Sequence, residues 1–184
     1  MQQDPSFAHN WTAEILAARP LILPGRSFVY PAQADEVERG ALEVLVRPVG
    51  NGMPFLATCA LGFRDLAVPS GVWATPHPEW MCAVAGGYAY LINTIRPDEF
   101  TMLPYRPVMQ VFPAPLDGLL LFASNRTILA WAKAGQAWES QRLSDEGLAM
   151  ISVENGVLRG MGWEMRSDQE IPFALDVRTG LRVC

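Results

Sequence analysis

The spacing of apolar positions changes once along this chain. Near the start, Phe7, Trp11 and Ile15 recur at four-residue steps, with Ala8 and Leu16 widening the stripe, and this predicts an amphipathic helix. Asp4 suits its cap and Pro5 its first position, where a missing N–H costs nothing. Arg19 precedes Pro20, so the helix within residues 1–20 should stop by about Ala18. After Pro24-Gly25 the period becomes two. Arg26 to Tyr30 reads as a short strand ending at Pro31, and Ala34 to Arg39 as one helical turn. Leu42, Val44 and Val46 alternate with Glu43 and Arg47, as in a half-buried strand. Asn51-Gly52 follows, in a loop lengthened by Pro48, Gly50 and Pro54, and Met53 to Leu61 returns antiparallel.

Further on, the strands come as hairpins. Met81 to Ala85 and Tyr88 to Thr94 flank Gly86-Gly87, and Val108 to Phe112, bounded by Pro107 and Pro113, reads as a strand that is either short or at a sheet edge. Leu119 to Ala123 is apolar throughout, which predicts a strand covered on both faces and paired with Thr127 to Ala132. Leu148 to Glu154 and Val157 to Met165 meet across Asn155-Gly156, the firmest hairpin of all. Ile171, Phe173, Leu175 and Val177 then alternate with Pro172, Ala174 and Asp176 up to Thr179-Gly180. A weak repeat links the stretch from Gly118 to the stretch from Gly147. With about a dozen candidate strands, too few for four propeller blades, it reads as two hairpins of one sheet.

The expected fold is therefore mainly β, a sandwich or open barrel of antiparallel hairpins with one N-terminal α-helix; an α+β fold is the alternative. A chain of 184 residues fits one domain, with the helix of residues 1–20 packed on an antiparallel β-domain of residues 26–184.

Composition adds a large apolar content. Apolar residues make up 50% of the chain and charged residues 18%, which calls for a big core or an apolar surface meeting a partner. The net charge is −5, and the arginines are scattered singly beside one lysine, Lys133, so no row of phosphates could be neutralised and nucleic acid is not an expected partner. Leu21-Ile22-Leu23, between Pro20 and Pro24, is far too short to span a bilayer, and the N-terminus lacks a secretory pattern. A cytoplasmic location with no membrane partner is expected. Cys59, Cys82 and Cys184 have neither zinc-knuckle nor redox spacing.

Chemistry-bearing residues are few. No nucleophile elbow, phosphate loop or metal-binding motif is present, so no catalytic residues, metal ligands or cofactors are expected. Of the two histidines, His9 falls in the predicted helix without a partner, and His77 lies in a loop between two prolines, bracketed by Trp73 and Trp80 with Glu79 nearby. Rigid aromatics beside a titratable group are what a small-molecule pocket needs, which makes Trp73, His77, Glu79 and Trp80 the candidate ligand-binding set. The competing reading is a proline-shaped loop with core tryptophans and a solvated histidine. Cys82, inside the run Met81-Cys82-Ala83-Val84-Ala85, reads as a small buried hydrophobe rather than a nucleophile.

The C-terminal stretch carries Trp138/Ser140, Leu143-Ser144/Gly147-Leu148, Gly160/Gly162-Trp163, Pro172-Phe173/Leu175-Asp176 and Thr179-Gly180. This resembles a recurrent pattern in uncharacterised bacterial proteins, over about residues 138–180. The resemblance implies a bacterial, mainly-β protein and brings no known activity. With six tryptophans and no catalytic set, the expected function is a non-catalytic binding or protein-interaction module, with a homodimer or another protein as partner. A small-molecule-binding domain or enzyme around the His77 loop is the second reading.

Overall fold

The computed structural model describes residues 2–32, 34–50 and 52–183; Asn51 of the expected Asn51-Gly52 turn and Cys184 lie outside them. The chain is mainly β and divides into two compact units, Met1–Pro107 and Val108–Cys184. Helical structure among the described residues is confined to two short 3-10 segments, Ala34–Arg39 and Pro115–Asp117.

The first unit holds β1 (Gln2–Asp4), β2 (Trp11–Leu16), β3 (Ser27–Tyr30), β4 (Ala41–Pro48), β5 (Phe55–Ala60), β6 (Gly71–Ala74), β7 (Trp80–Ala85), β8 (Tyr88–Asn93) and β9 (Phe100–Met102). They form two sheets, in the orders β2-β4-β5-β3 and β1-β6-β7-β8-β9. Most pairs are antiparallel, but β1 pairs parallel with β6 and β3 parallel with β5.

The expected N-terminal helix is absent, and strands stand in its place. Four-residue spacing is ambiguous: positions 7, 11 and 15 share a helical face, and they also share parity. Trp11, Ala13 and Ile15 accordingly line one face of β2, which pairs antiparallel with β4 from Trp11↔Pro48 to Leu16↔Glu43. Asp4 caps no helix. Its Oδ1 accepts the Ser6 N–H at 2.9 Å and the Ser6 hydroxyl, an Asx-turn that uses the same side-chain chemistry as a cap.

Leu42, Val44 and Val46 of β4 and Phe55, Ala57 and Cys59 of β5 are opposite one another in register and fully buried or nearly so. On the other face Glu43 is also buried, contrary to a simple wet-face alternation. Thr58, opposite it, donates a 2.6 Å hydrogen bond to Glu43 Oε2. That bond satisfies a carboxylate whose burial would otherwise be costly. Two tyrosines tie the sheets of this unit together. Tyr90 of β8 donates to the Ala60 carbonyl at 2.9 Å, and Tyr30 of β3 donates to the Pro97 carbonyl at 2.8 Å. The Tyr30 ring lies 5.0 Å from Phe100 and 6.4 Å from Tyr90.

The second unit holds β10 (Gln110–Ala114), β11 (Leu119–Ala123), β12 (Ile128–Ala132), β13 (Gly135–Glu139), β14 (Leu148–Glu154), β15 (Val157–Glu164) and β16 (Gln169–Asp176). They run as two antiparallel meanders, β10-β11-β12-β13 and β14-β15-β16. The repeated stretches are the hairpins β11–β12 and β14–β15, in two different sheets rather than one. Sixteen strands among the described residues, in four sheets of three to five, exceed the dozen expected. The Asn155-Gly156 turn forms as expected, with both residues at positive φ (51° and 74°).

A shared core packs Leu121, Ile128 and Trp138 with Leu148, Leu158, Phe173 and Leu175. At the bulge between Met150 and Ser152 the Gln110 carboxamide replaces a strand: Oε1 accepts the Met150 N–H at 2.8 Å and Nε2 donates to the Met150 carbonyl at 2.9 Å. Gly160 is required by close approach, since a Cβ there would lie 2.3 Å from both the Ala149 carbonyl oxygen and the Phe173 ring. Asp176 closes the last turn by accepting from the Thr179 hydroxyl, the Thr179 N–H and the Arg178 N–H. The Thr179 side-chain and backbone bonds hold its carboxyl below the usual carboxylate range. The turn's contribution is therefore present at neutral pH and is lost as acidification passes that lowered value.

Candidate functional site

Trp73, His77, Glu79 and Trp80 lie on β6, β7 and the turn between them. Trp73 is 1% exposed, opposite Cys82 in register, and its indole N–H is buried without a hydrogen-bond partner. Trp80 begins β7, two residues before Cys82, and so shares that face of the sheet. His77 and Glu79 are half-buried, and the turn's own hydrogen bonds occupy much of their polarity. The Thr75 hydroxyl lies 3.0 Å from the His77 and Trp80 carbonyls and accepts the His77 N–H at 3.3 Å. The Trp80 N–H donates to the His77 carbonyl at 3.0 Å, and the Glu79 N–H donates to His77 Nδ1 at 3.2 Å. In the neutral ring the proton therefore sits on Nε2. Thr94 donates its N–H and its hydroxyl to the Glu79 carbonyl, each at 2.8 Å. Histidine and glutamate thus meet through ring and backbone, and the geometry accounts for a precisely built turn.

Cys82 and Cys59 are both fully buried, and burial pushes both thiols far up from their ordinary range. A thiolate is the reacting form, so neither has nucleophilic character. We expect peptide mapping after iodoacetamide treatment of the native chain to find both cysteines unmodified, with labelling appearing only in denaturant. Rapid labelling of Cys82 under native conditions would contradict this assignment.

The other histidine has more to offer than its sequence position implied. His9 belongs to no helix; it lies in the loop between β1 and β2. Its Nδ1 donates to the Phe7 carbonyl at 2.7 Å, and its ring lies 4.6 Å from that of Trp11 at 43°. The next residue links this loop to the His77 turn: the Asn10 N–H donates to the Pro78 carbonyl at 2.9 Å, while the Asn10 carbonyl accepts from Val49 at 2.8 Å. A cavity of about 250 Å³ opens here, lined by Gln3, Asp4, His9, Trp11 and Val72 among others. Asp4 is opposite Trp73 in the β1–β6 register, so the two histidine loops and two tryptophans share one corner of the first unit. Trp11 is 5% exposed and its indole N–H, like that of Trp73, is buried without a partner. No sequence motif marked His9 and Asp4; the corner becomes visible only when residues 11–16 are read as a strand, which leaves His9 in a loop.

In the second unit a cavity of about 240 Å³ is lined by Arg142, Asp145, Trp163 and Arg182 among others, and Arg142 is already paired with Asp145 at 2.6 Å. No group of three or more His, Cys, Asp or Glu side chains that could hold a metal ion occurs among the described residues. No helix among them is long and apolar enough to cross a membrane. Compared with known proteins, the chain matches no protein-family model and no curated protein.

Proposed function

We propose that this chain is a non-catalytic protein-interaction module that pairs with a second copy of itself. The observation that carries the reading is the loop between β2 and β3. Leu21 and Ile22 are 104% and 89% exposed, and Leu23 is 45% exposed, between Pro20 and Pro24. Prolines on both sides restrict the free loop, so less conformational entropy is lost when it docks. Fully burying two such side chains contributes roughly 3–6 kcal/mol, which lies near the low end of the roughly 4–15 kcal/mol lost on association. The loop therefore acts as an anchor within a wider interface of about 1,000 Å² or more. A second copy is the simplest partner, because most soluble oligomers are symmetric assemblies of one chain. A cytoplasmic setting accords with the free thiols of Cys59 and Cys82.

Light scattering coupled to size exclusion tests the reading. The parent chain is expected to elute as a dimer that dissociates on dilution, and the Leu21→Ser/Ile22→Ser double variant as a monomer with an unchanged circular-dichroism spectrum. A parent chain that stays monomeric at the highest soluble concentration removes the proposal.

A further inference from the structure

We infer that the cavity between β1, the His9 loop and β2 is a binding site for a small organic ammonium ion. The inference is independent of the Leu21–Leu23 loop and rests on the side chains that line the cavity. Asp4 supplies a carboxylate. Its Oδ1 is occupied by Ser6, and Oδ2 is left as an acceptor with no ion-pair partner among the described residues. His9 Nδ1 is committed as a donor to the Phe7 carbonyl, which leaves Nε2 as an acceptor in the neutral ring. Gln3 donates its Nε2 to the Ala13 carbonyl at 3.3 Å, and its Oε1 remains an acceptor. The indole of Trp11, the best cation-binding ring among the side chains, forms part of the wall.

This lining is rich in acceptors, beside the unpartnered indole N–H of Trp11. It offers three acceptors and an aromatic ring, with no lysine or arginine to receive an anion. The net charge of −5 adds an attractive field for a cation. A metal ion is the weaker match, since only Asp4 and His9 among the lining residues are common metal ligands. A volume of about 250 Å³ accommodates a ligand of roughly a dozen non-hydrogen atoms, below the drug-sized range. A primary amine on a short apolar or aromatic body meets these terms: N–H donors for Asp4, His9 and Gln3, and a body against Trp11 and Val72.

The test is isothermal titration calorimetry of the full chain with phenethylamine, with phenylacetate as the charge-reversed isostere and zinc chloride as the metal probe. Phenethylamine is expected to give saturable heat at one site, and phenylacetate none. Asp4→Asn removes the charge but keeps an acceptor for the Ser6 N–H, so the turn survives. It is expected to weaken amine binding about tenfold or more, because a hydrogen bond to a charged group is lost. His9→Gln, a second variant that leaves the carboxylate in place, is expected to weaken binding as well. No saturable heat with millimolar phenethylamine, equal binding of the two isosteres, unchanged affinity in both variants, or zinc binding in place of the amine would each overturn the inference.

Discussion

Replacing Trp138 by alanine is expected to remove about 3–5 kcal/mol of stability from the unit Val108–Cys184, the usual cost of deleting a core aromatic. The ring is 9% exposed and packs in the core with Leu143, Phe173 and Val177. Its indole N–H donates to the Val177 carbonyl at 2.9 Å, so the side chain contributes both volume and a buried bond. Gly180 lies so close that a Cβ there would approach within 2.5 Å of the ring, which leaves the backbone little room to move elsewhere. Trp138→Phe separates the two contributions: it keeps most of the area, and should cost about 1–3 kcal/mol, since the Val177 carbonyl loses its partner. Urea denaturation followed by far-ultraviolet circular dichroism measures both. A loss below about 1 kcal/mol for the alanine variant would mean that the ring is not part of the core.

The matching expectation for the first unit concerns Tyr30. Tyr30→Ala should cost about 3–5 kcal/mol, because it empties a site 1% exposed where two sheets meet, beside Phe100 and Tyr90. Tyr30→Phe should cost about 1 kcal/mol, the hydrogen bond to the Pro97 carbonyl. Thermal unfolding monitored by circular dichroism orders the variants: parent, phenylalanine, alanine. Equal melting temperatures for Tyr30→Ala and the parent would show that this ring does not join the sheets.

Much of the β-structure was legible, and the reason is local. Where a turn requires positive φ, as at Asn155-Gly156 and Gly86-Gly87, the residue type reports the backbone directly, and both hairpins formed. Where a strand is covered on both faces, as at Leu119–Ala123, an unbroken apolar run reports that burial. The first twenty residues misled because an even spacing of four satisfies a helix and a strand alike, and Asp4 and Pro5 suit a turn as well as a cap. Non-local pairings such as β1 with β6 and β3 with β5 left no trace, since nothing in either strand names its partner. The candidate site suffered the same limit. His77 stood out through its prolines, whereas His9 and Asp4 acquire chemical meaning only from the neighbours that β1 and β2 bring to them.

The parallel pairing of β1 with β6 has a consequence for synthesis on the ribosome. Gln2 is made well before its partner Gly71, which follows only after β2, β3, β4 and β5. Until then a three-residue strand has no edge to join, and closing so long a loop for so few bonds is slow. The cavity wall carrying Gln3 and Asp4 therefore cannot take its place before β6 is made.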